Sequence, residues 1–173
     1  TQIISIANQK GGVGKTTTAV NLSAALAKIG KKVLLVDCDS QANATTGMGI
    51  DKPSLENSLY QGMIGDADID EIILPTVLPK LMMVPANIDL IGFEVEMVAE
   101  KGREQQLKNL LKPAADRFDY IIIDCPPALS LLTLNAFTAS DSVVIPLQSE
   151  FFALEGLGQL LNTIKRVKSS YNP

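Results

Sequence analysis

The chain has 173 residues, of which 46% are hydrophobic and 20% are charged. This length and composition suit one domain with one hydrophobic core and exclude a disordered chain, so we take residues 1–173 as a single domain. No apolar run approaches the about 20 residues that a membrane span needs, and we expect a cytosolic protein with no evident membrane association. The net charge of −4 argues against a whole surface made for nucleic acid, but not against a local basic patch.

Short β-branched runs alternate with longer helical patterns along the chain. We predict strands at residues 3–7, 32–37, 80–84, 121–124 and 142–146. We predict helices at residues 16–29, at 92–112 in one or two pieces, at 129–139 and at 153–170. Strands that are apolar on both faces, alternating with helices, indicate an α/β fold with a mostly parallel sheet covered by helices on both sides.

Two further features of the sequence are an irregular central segment and a pair of cysteines. Residues 40–79 contain scattered Gly, Asp and Pro, and we interpret them as a mobile loop with short helix. Cys38 and Cys125 lie in or beside apolar strands, where cysteines of a cytosolic protein are small buried hydrophobic residues and not a disulfide.

The segment Lys10-Gly11-Gly12-Val13-Gly14-Lys15-Thr16-Thr17 follows a predicted strand and opens a predicted helix. This is the context that a phosphate-binding loop (P-loop) requires, because glycines let backbone N–H groups surround a phosphate chain at a helix N-terminus. Lys15 is placed to reach the β- and γ-phosphates of a nucleotide and the Thr16 hydroxyl to bind Mg²⁺. Thr17 is placed to reach the α-phosphate. The pattern predicts a P-loop NTPase.

Three carboxylates follow predicted strands at the same edge of the sheet. Asp37 and Asp39 come at the end of the second strand, and Asp124 ends the fourth. Ligands of open α/β sheets bind at the carboxyl ends of the strands. Three acids near a phosphate loop would repel the substrate unless a cation lay between them, so Mg²⁺ is implied. For Asp37 two interpretations stay open: it supports the metal, or it only caps its strand.

The loop departs from the standard pattern, which has Gly six positions before the loop lysine. Gln9 stands there, and the extra lysine Lys10 precedes two glycines. With this loop, the sequence resembles the ParA/Soj/MinD family of variant Walker A ATPases, most closely the chromosome-partitioning ParA/Soj proteins. Residues that carry the resemblance beyond the loop include Ala7-Asn8-Gln9, 36–45 (VDCDSQANAT), Asp124-Cys125-Pro126-Pro127 and Ala153-Leu154-Glu155-Gly156.

The resemblance implies an ATP-hydrolysing, Mg²⁺-dependent switch for chromosome or plasmid partitioning. It implies that Lys10 crosses a dimer interface to the partner's nucleotide, in an ATP sandwich dimer. It implies that Asp39 is the switch I aspartate that orients the attacking water and that Asp124 is the Walker B aspartate at the metal, so Thr16, Asp39 and Asp124 form the expected metal site. The segment after Asp124 is the expected switch II, in which Pro126-Pro127 fixes the backbone.

The resemblance also implies partners that this chain does not explain by itself. Family members continue beyond this point, and their base-reading, DNA-binding and membrane-binding residues lie mostly in that later part, so we expect a C-terminally truncated domain with an exposed apolar sheet edge. Non-specific DNA, a ParB-like stimulating protein and nucleoid association are expected for the longer protein. The cluster Lys165, Arg166 and Lys168 suits the end of a helix for dipole reasons alone. Ser40 replaces the family's usual Pro, which predicts a more flexible switch I.

Three alternatives remain at this level. A MinD-like ATPase of cell-division site positioning would bind membrane through a later helix. A reductase like the nitrogenase iron protein needs a cysteine beyond its Walker B aspartate, but Leu131 stands seven residues after Asp124. A non-hydrolysing interaction module is opposed by the retained Lys15, Asp39 and Asp124.

Overall fold

The computed structural model describes residues 1–148 and 153–172, with all predicted site residues among them. The strands are β1 (Gln2–Ile6), β2 (Val33–Asp37), β3 (Leu74–Pro75), β4 (Leu81–Val84), β5 (Tyr120–Asp124) and β6 (Ser142–Val144). The helices are α1 (Lys15–Lys28), α2 (Asn43–Gly47), α3 (Leu59–Ile64), α4 (Ile69–Ile72), α5 (Leu90–Glu96), α6 (Gln106–Leu111), α7 (Leu131–Ala139) and α8 (Ala153–Ser170). Short 3₁₀ turns lie at Lys52–Ser54, Met97–Ala99, Arg103–Gln105 and Lys112–Arg117.

The strands form one sheet in the order β3-β4-β2-β5-β1-β6, and all pair in parallel except β3. This confirms the predicted mostly parallel sheet. The three central strands are in register at their carboxyl ends, with Asp124 of β5 beside both Ile6 of β1 and Asp37 of β2. The segments that follow these strands therefore begin at one edge of the sheet. They are the P-loop, the segment that carries Asp39 and the segment that begins at Cys125.

Helices cover both faces of the sheet because successive strand residues point to opposite sides. In β2, Leu34 packs into a core shared with α3, α5, α6 and α7, whereas Leu35 packs against the side that α1 and α2 cover. Both side chains are completely buried. This explains why the strand has no polar alternation and why a two-sided fold was predictable from it.

Helix α1 begins at the P-loop and runs back along the sheet. Gly30, with φ of 94°, follows the helix as predicted and donates to the carbonyl of Ala27. The buried face of α1 consists of residues four apart, Lys15, Ala19, Ser23 and Ala27. Small side chains at three of these positions allow the helix to lie close to the strands, with Lys15 at the end that faces the site.

Residues 40–79 hold more regular structure than the pattern predicted. They contain α2, α3, α4 and the antiparallel strand β3. Helix α3 begins with a capping box between Ser58 and Gln61, and Leu59 and Met63 of this helix are buried in the core. The segment therefore closes one side of the core.

Strand β6 is the outer strand of the sheet next to β1. The expected apolar edge is present, since Val144 is 39% exposed and Leu147, just after the strand, is 52% exposed. A cleft of about 560 Å³ lies beside this strand and is lined partly by Phe137 and Leu161.

Candidate functional site

The P-loop backbone is shaped by two glycines in left-handed conformations. Gly12 has φ of 74°, and Gly14, which caps the N-terminus of α1, has φ of 87°. Residues with a side chain rarely adopt such φ values, so these positions require glycine for the turn itself. A Cβ added at Gly11, Gly12 or Gly14 would meet nothing within 4 Å. Space is therefore open above the loop, as phosphate binding requires.

Lys15, the first residue of α1, has its side chain buried in the site. Lys15 is only 8% exposed, and its Nζ donates a hydrogen bond to the backbone carbonyl of Lys10 at 3.1 Å. Burial lowers the pKa of Lys15, and the nearby carboxylates of Asp124 and Asp39 partly oppose this shift. The structure thus brings together the predicted phosphate lysine and the two predicted metal-side aspartates.

The other predicted loop residues take different positions. Val13 packs its side chain inward, so it can contribute to a ligand only through its backbone. Thr16 is half-buried near Asp124, and Thr17 is exposed on the first turn of α1. Lys10 is half-buried at the start of the loop.

Asn8 is a site residue that the sequence reasoning missed. Its Oδ1 accepts the backbone N–H of Lys10 at 3.0 Å, and its Nδ2 donates to the carbonyl of Pro146 at 2.8 Å. Nearby, Gln148 donates through Nε2 to the carbonyl of Gly12 at 3.2 Å. These bonds tie the loop to the segment after β6. A polar side chain directly after an apolar strand was the available clue to Asn8.

Asp124 is buried at the end of β5, and both of its carboxylate oxygens have no hydrogen-bond partner among the described residues. Burial raises the pKa of Asp124 to about 7, and the nearby Thr16 hydroxyl opposes this shift. The Thr16 hydroxyl nevertheless makes no hydrogen bond of normal geometry to the carboxylate. A buried carboxylate without a partner is costly unless a cation offsets it. The donor set of Asp124 and Thr16 therefore fits Mg²⁺.

The described residues contain no group of three or more His, Cys, Asp or Glu side chains that could hold a metal alone. At phosphate sites Mg²⁺ keeps several waters and takes few protein ligands together with substrate phosphates. The expectation that Asp39 also belongs to the metal site remains a prediction.

Asp37 acts as a clamp within the fold. Its Oδ2 accepts the backbone N–H of Thr45 at 2.8 Å and the Thr45 hydroxyl at 2.7 Å. Its Oδ1 accepts the N–H of Asp39 at 3.2 Å, and the Thr45 hydroxyl oxygen in turn accepts the N–H of Ala86. Burial raises the pKa of Asp37 to about 6, against the opposing effect of the Thr45 bonds. These contacts favour the strand-capping interpretation over metal support.

Asp39 lies half-buried after β2, at a cleft that also borders Pro126 and Pro127. Its Oδ1 accepts the N–H of Gln41 at 2.9 Å. Ala42, three residues on, has φ of 54° and is buried. A non-glycine residue in this region is strained, and such strain is found at functional segments. The predicted switch I is thus held in a costly conformation by Asp37 and Asp39; its predicted flexibility remains untested.

The segment after β5 continues the site. The Asp124 carbonyl accepts the N–H of Cys38, and the N–H of Cys125 donates to the Ile6 carbonyl, so all three central strands are linked just below it. Both cysteines are buried and unbridged, as predicted, and burial raises the pKa of the Cys125 thiol to about 12. That Pro126-Pro127 moves as a switch stays a prediction. Among the described helices, none has the length and apolarity to cross a membrane.

Comparison with known proteins places this site in a family. A model of the AAA domain family matches residues 1–173. The chain is 57% identical over 171 residues to the sporulation initiation inhibitor protein Soj of Bacillus subtilis, covering 99% of this chain and 68% of that protein. It is 54% identical to the chromosome partitioning protein ParA of Myxococcus xanthus, covering 99% of this chain but 61% of that protein, less than two thirds of its length.

A similar solved structure is that of cobyrinic acid a,c-diamide synthase from Mycobacterium smegmatis with a bound ATP analogue and magnesium. Its TM-score is 0.96 at 43% sequence identity, and the match covers all of this chain and 70% of that one. The P-loop with its second lysine, the aspartates at the ends of neighbouring strands and these similarities agree: the chain belongs to the AAA domain family, within the ParA/Soj/MinD group of variant P-loop ATPases, and is similar to the Soj and ParA partitioning proteins.

Proposed function

We propose that this chain forms one P-loop ATPase domain that binds ATP with Mg²⁺, hydrolyses it, and uses the cycle to join and release two copies of the protein in chromosome or plasmid partitioning. The observation that carries the proposal is the buried Lys15, which lies near Asp39 and Asp124 at the mouth of an open glycine loop. A second lysine, Lys10, begins the same loop.

ATP binding follows from the loop. Backbone N–H groups of residues 10–17 and the start of α1 supply positive potential for the phosphates. Lys15 leaves the carbonyl of Lys10 and contacts the β- and γ-phosphates, and Thr17 reaches the α-phosphate. Thr16 and Asp124 hold Mg²⁺, which supplies charge neutralisation at the phosphates when bound.

Hydrolysis needs a positioned water more than a strong base. The chain has no histidine, so no imidazole is available. Asp39 orients the attacking water, and its own backbone is fixed by the Asp37 clamp. Phosphoryl transfer of this kind depends on positioning and on offsetting charge, which Lys15 and Lys10 provide.

Dimerisation explains the second lysine and the glycine beside it. Two triphosphates that face each other across an interface need additional cations, and Lys10 of each copy contacts the nucleotide of the other. Gly11 has no left-handed φ, and a Cβ there would clash with nothing in the chain. Nothing within the chain requires glycine at position 11, so any such requirement would come from outside the chain, and a close second copy fits that role.

The partitioning role is supported by the names of the Soj and ParA relatives. This chain spans 61% to 68% of their lengths, so the partners belong to the proposal for the whole protein. We infer non-specific DNA as one partner, through residues outside this chain, and a ParB-like protein that stimulates hydrolysis as another. Action at the nucleoid in the cytoplasm follows from these partners.

The structural similarity to a cobyrinic acid a,c-diamide synthase supports a second candidate, an ATP-dependent amidation of cobyrinic acid. The two candidates use the same P-loop but different second substrates. The higher identities to Soj and ParA favour partitioning.

One experiment separates these candidates. Phosphate release by the full-length protein is measured with Mg²⁺ and ATP alone, with duplex DNA, with cobyrinic acid and glutamine, and with anionic liposomes. Partitioning predicts stimulation by DNA. Stimulation by cobyrinic acid and glutamine would support the synthase, and co-pelleting with liposomes and stimulation by them would support the MinD-like alternative.

A further inference from the structure

Asn8 lies two residues after β1, at the point where the chain leaves the sheet and enters the P-loop. Its side chain is only 8% exposed. The Oδ1 atom accepts the N–H of Lys10 at 3.0 Å, and the Nδ2 atom donates to the carbonyl of Pro146 at 2.8 Å. Each end of this buried amide is therefore paired with a different segment, which holds the P-loop and the segment after β6 in a fixed relation.

The bond to Pro146 extends the pairing of β1 with β6 by means of a side chain. The N–H of Ala7 donates to the carbonyl of Val144 at 3.1 Å. Donors recur at every second residue in a parallel ladder, so the next bond would run from the N–H of Gln9 to the carbonyl of Pro146. Asn8 donates to that carbonyl from one residue earlier. The backbone can therefore turn away from the sheet at Gln9 while the carbonyl on the neighbouring strand keeps a donor.

Lys10 is held at both of its backbone polar groups. Asn8 accepts its N–H, and the Nζ of Lys15 donates to its carbonyl at 3.1 Å. The bond from Asn8 spans two residues, as in an Asx turn. Because peptide groups are planar, two such bonds fix the peptide planes on both sides of the Lys10 Cα. They therefore also fix the direction in which the Lys10 side chain leaves the loop.

These two bonds differ in their response to ATP. In the proposed cycle Lys15 leaves the carbonyl of Lys10 for the phosphates, so that bond ends when ATP binds. The bond from Asn8 uses no group that a phosphate needs, so it persists. An amide suits this position because it can accept from Lys10 and donate to Pro146 without placing a negative charge beside the triphosphate. An aspartate could do neither of the last two.

We propose that Asn8 is the positioning residue for Lys10. It holds the backbone of Lys10 so that the ammonium group projects towards the nucleotide of a second copy, and it keeps this hold after Lys15 has turned to the phosphates. Asn8 itself touches neither nucleotide and acts through Lys10. The inference rests on the proposed function and adds to it the side chain that orients the dimerising lysine.

The test compares Asn8→Ala with Asn8→Ser in the full-length protein. Alanine removes both bonds, whereas a serine hydroxyl still accepts an N–H two residues on but is too short to reach Pro146. Asn8→Ala should keep its ATP affinity within about threefold and raise the dissociation constant of the ATP-dependent dimer by about tenfold or more. Asn8→Ser should recover most of the dimerisation. Calorimetric titration measures ATP binding, and sedimentation velocity under conditions that slow hydrolysis measures the dimer.

A second measurement examines the bond to Lys10 without nucleotide. Hydrogen exchange of the Lys10 amide should be about tenfold faster in Asn8→Ala than in the unaltered protein, and nearly unchanged in Asn8→Ser. The matched control is Asn109→Ala, which removes an exposed asparagine of α6. It should leave ATP binding, dimerisation and Lys10 exchange as they are. Thermal unfolding checks that all three variants are folded.

Four results would overturn the proposal. The first is an Asn8→Ala protein that dimerises like the unaltered one, and the second is an ATP affinity that falls as much as the dimer affinity, which would mean a structural role in the whole loop. The third is an Asn8→Ser protein no better than Asn8→Ala, and the fourth is an unchanged exchange rate of the Lys10 amide. Failure of the proposed function shows differently: the unaltered protein would stay monomeric with ATP, or Lys10→Ala would dimerise normally, and either result would remove the inference with it.

Discussion

The Nζ of Lys15 donates a hydrogen bond to the backbone carbonyl of Lys10 at 3.1 Å. The two lysines of the loop are therefore linked in this conformation, with one holding the backbone of the other. A triphosphate is a stronger acceptor than a carbonyl because it is anionic. We expect ATP to draw Lys15 away from this bond and to leave the start of the loop free to adjust to a second subunit.

Lys15→Ala should reduce ATP affinity by about 100-fold or more, because a buried cation that pairs with phosphate is removed. The matched control is Lys28→Ala, at the other end of the same helix, where the lysine is exposed. Calorimetric titration of the full-length protein with ATP and Mg²⁺ checks both. Tight ATP binding by Lys15→Ala would contradict the loop assignment.

Asp39→Ala should retain ATP binding and dimerisation but hydrolyse ATP at least about 100-fold more slowly, since the water-orienting group is lost. Phosphate release under single-turnover conditions measures this step. Asp51→Ala removes an exposed carboxylate away from the site and serves as the control. Phosphate release by Asp39→Ala at the unaltered rate would remove Asp39 from the mechanism.

Gly11→Val should leave the fold intact and prevent the ATP-dependent dimer. The single chain has space for the new side chain, so the free energy of unfolding should change by no more than about 0.5 kcal/mol. Gly62→Ala is the informative contrast, because its Cβ would lie 2.7 Å from Cδ1 of Ile72 and should cost about 1–3 kcal/mol. A Gly11→Val protein that dimerises normally with ATP would show that no partner approaches this position.

Asp124 should make the nucleotide-free protein less stable as pH rises. Its pKa is raised from 3.8 to about 7 in the folded chain, so between these values the folded state binds a proton that the unfolded state has released. Stability is therefore fully present below about pH 4 and is lost progressively up to about pH 7. Asp124→Asn should remove this loss.

Chemical unfolding in the presence of a magnesium chelator measures the difference between the two proteins. The stability of Asp124→Asn relative to the unaltered protein should grow by up to about 4 kcal/mol between pH 4 and pH 8. A difference that is constant across this range would show that Asp124 is not a buried, uncompensated carboxylate.

Much of the fold was predictable because buried parallel strands are continuous apolar runs. The sequence at 32–37 and 121–124 shows this directly, and both strands were found. Strand β3 was missed because it has two residues, one of them Pro75, and depends only on antiparallel pairing with β4. The sequence pattern did not locate short helices such as α3, because helices of one or two turns are stabilised more by tertiary packing than by local sequence.

The P-loop was predictable because its chemistry is local in the chain. For Asp37 the sequence left two interpretations open, because the partner that decides between them, Thr45, lies eight residues away on another element. Helix α5 shows the opposite difficulty. Apolar residues at helical spacing, such as Ile91, Val95 and Val98, are the usual mark of a buried face, and only the structure shows that Leu90 and Phe93 take that role instead.

The most direct test of this account is the association state of the full-length Lys10→Ala protein, measured by sedimentation velocity with ATP and Mg²⁺ under conditions that slow hydrolysis. The unaltered protein and the exposed-lysine control Lys52→Ala should shift from monomer to dimer when ATP is added. Lys10→Ala should remain monomeric while it still binds ATP, because the cation that reaches the second subunit's phosphates is missing. A Lys10→Ala protein that forms the ATP-dependent dimer as readily as the unaltered one would contradict the proposed role of this lysine.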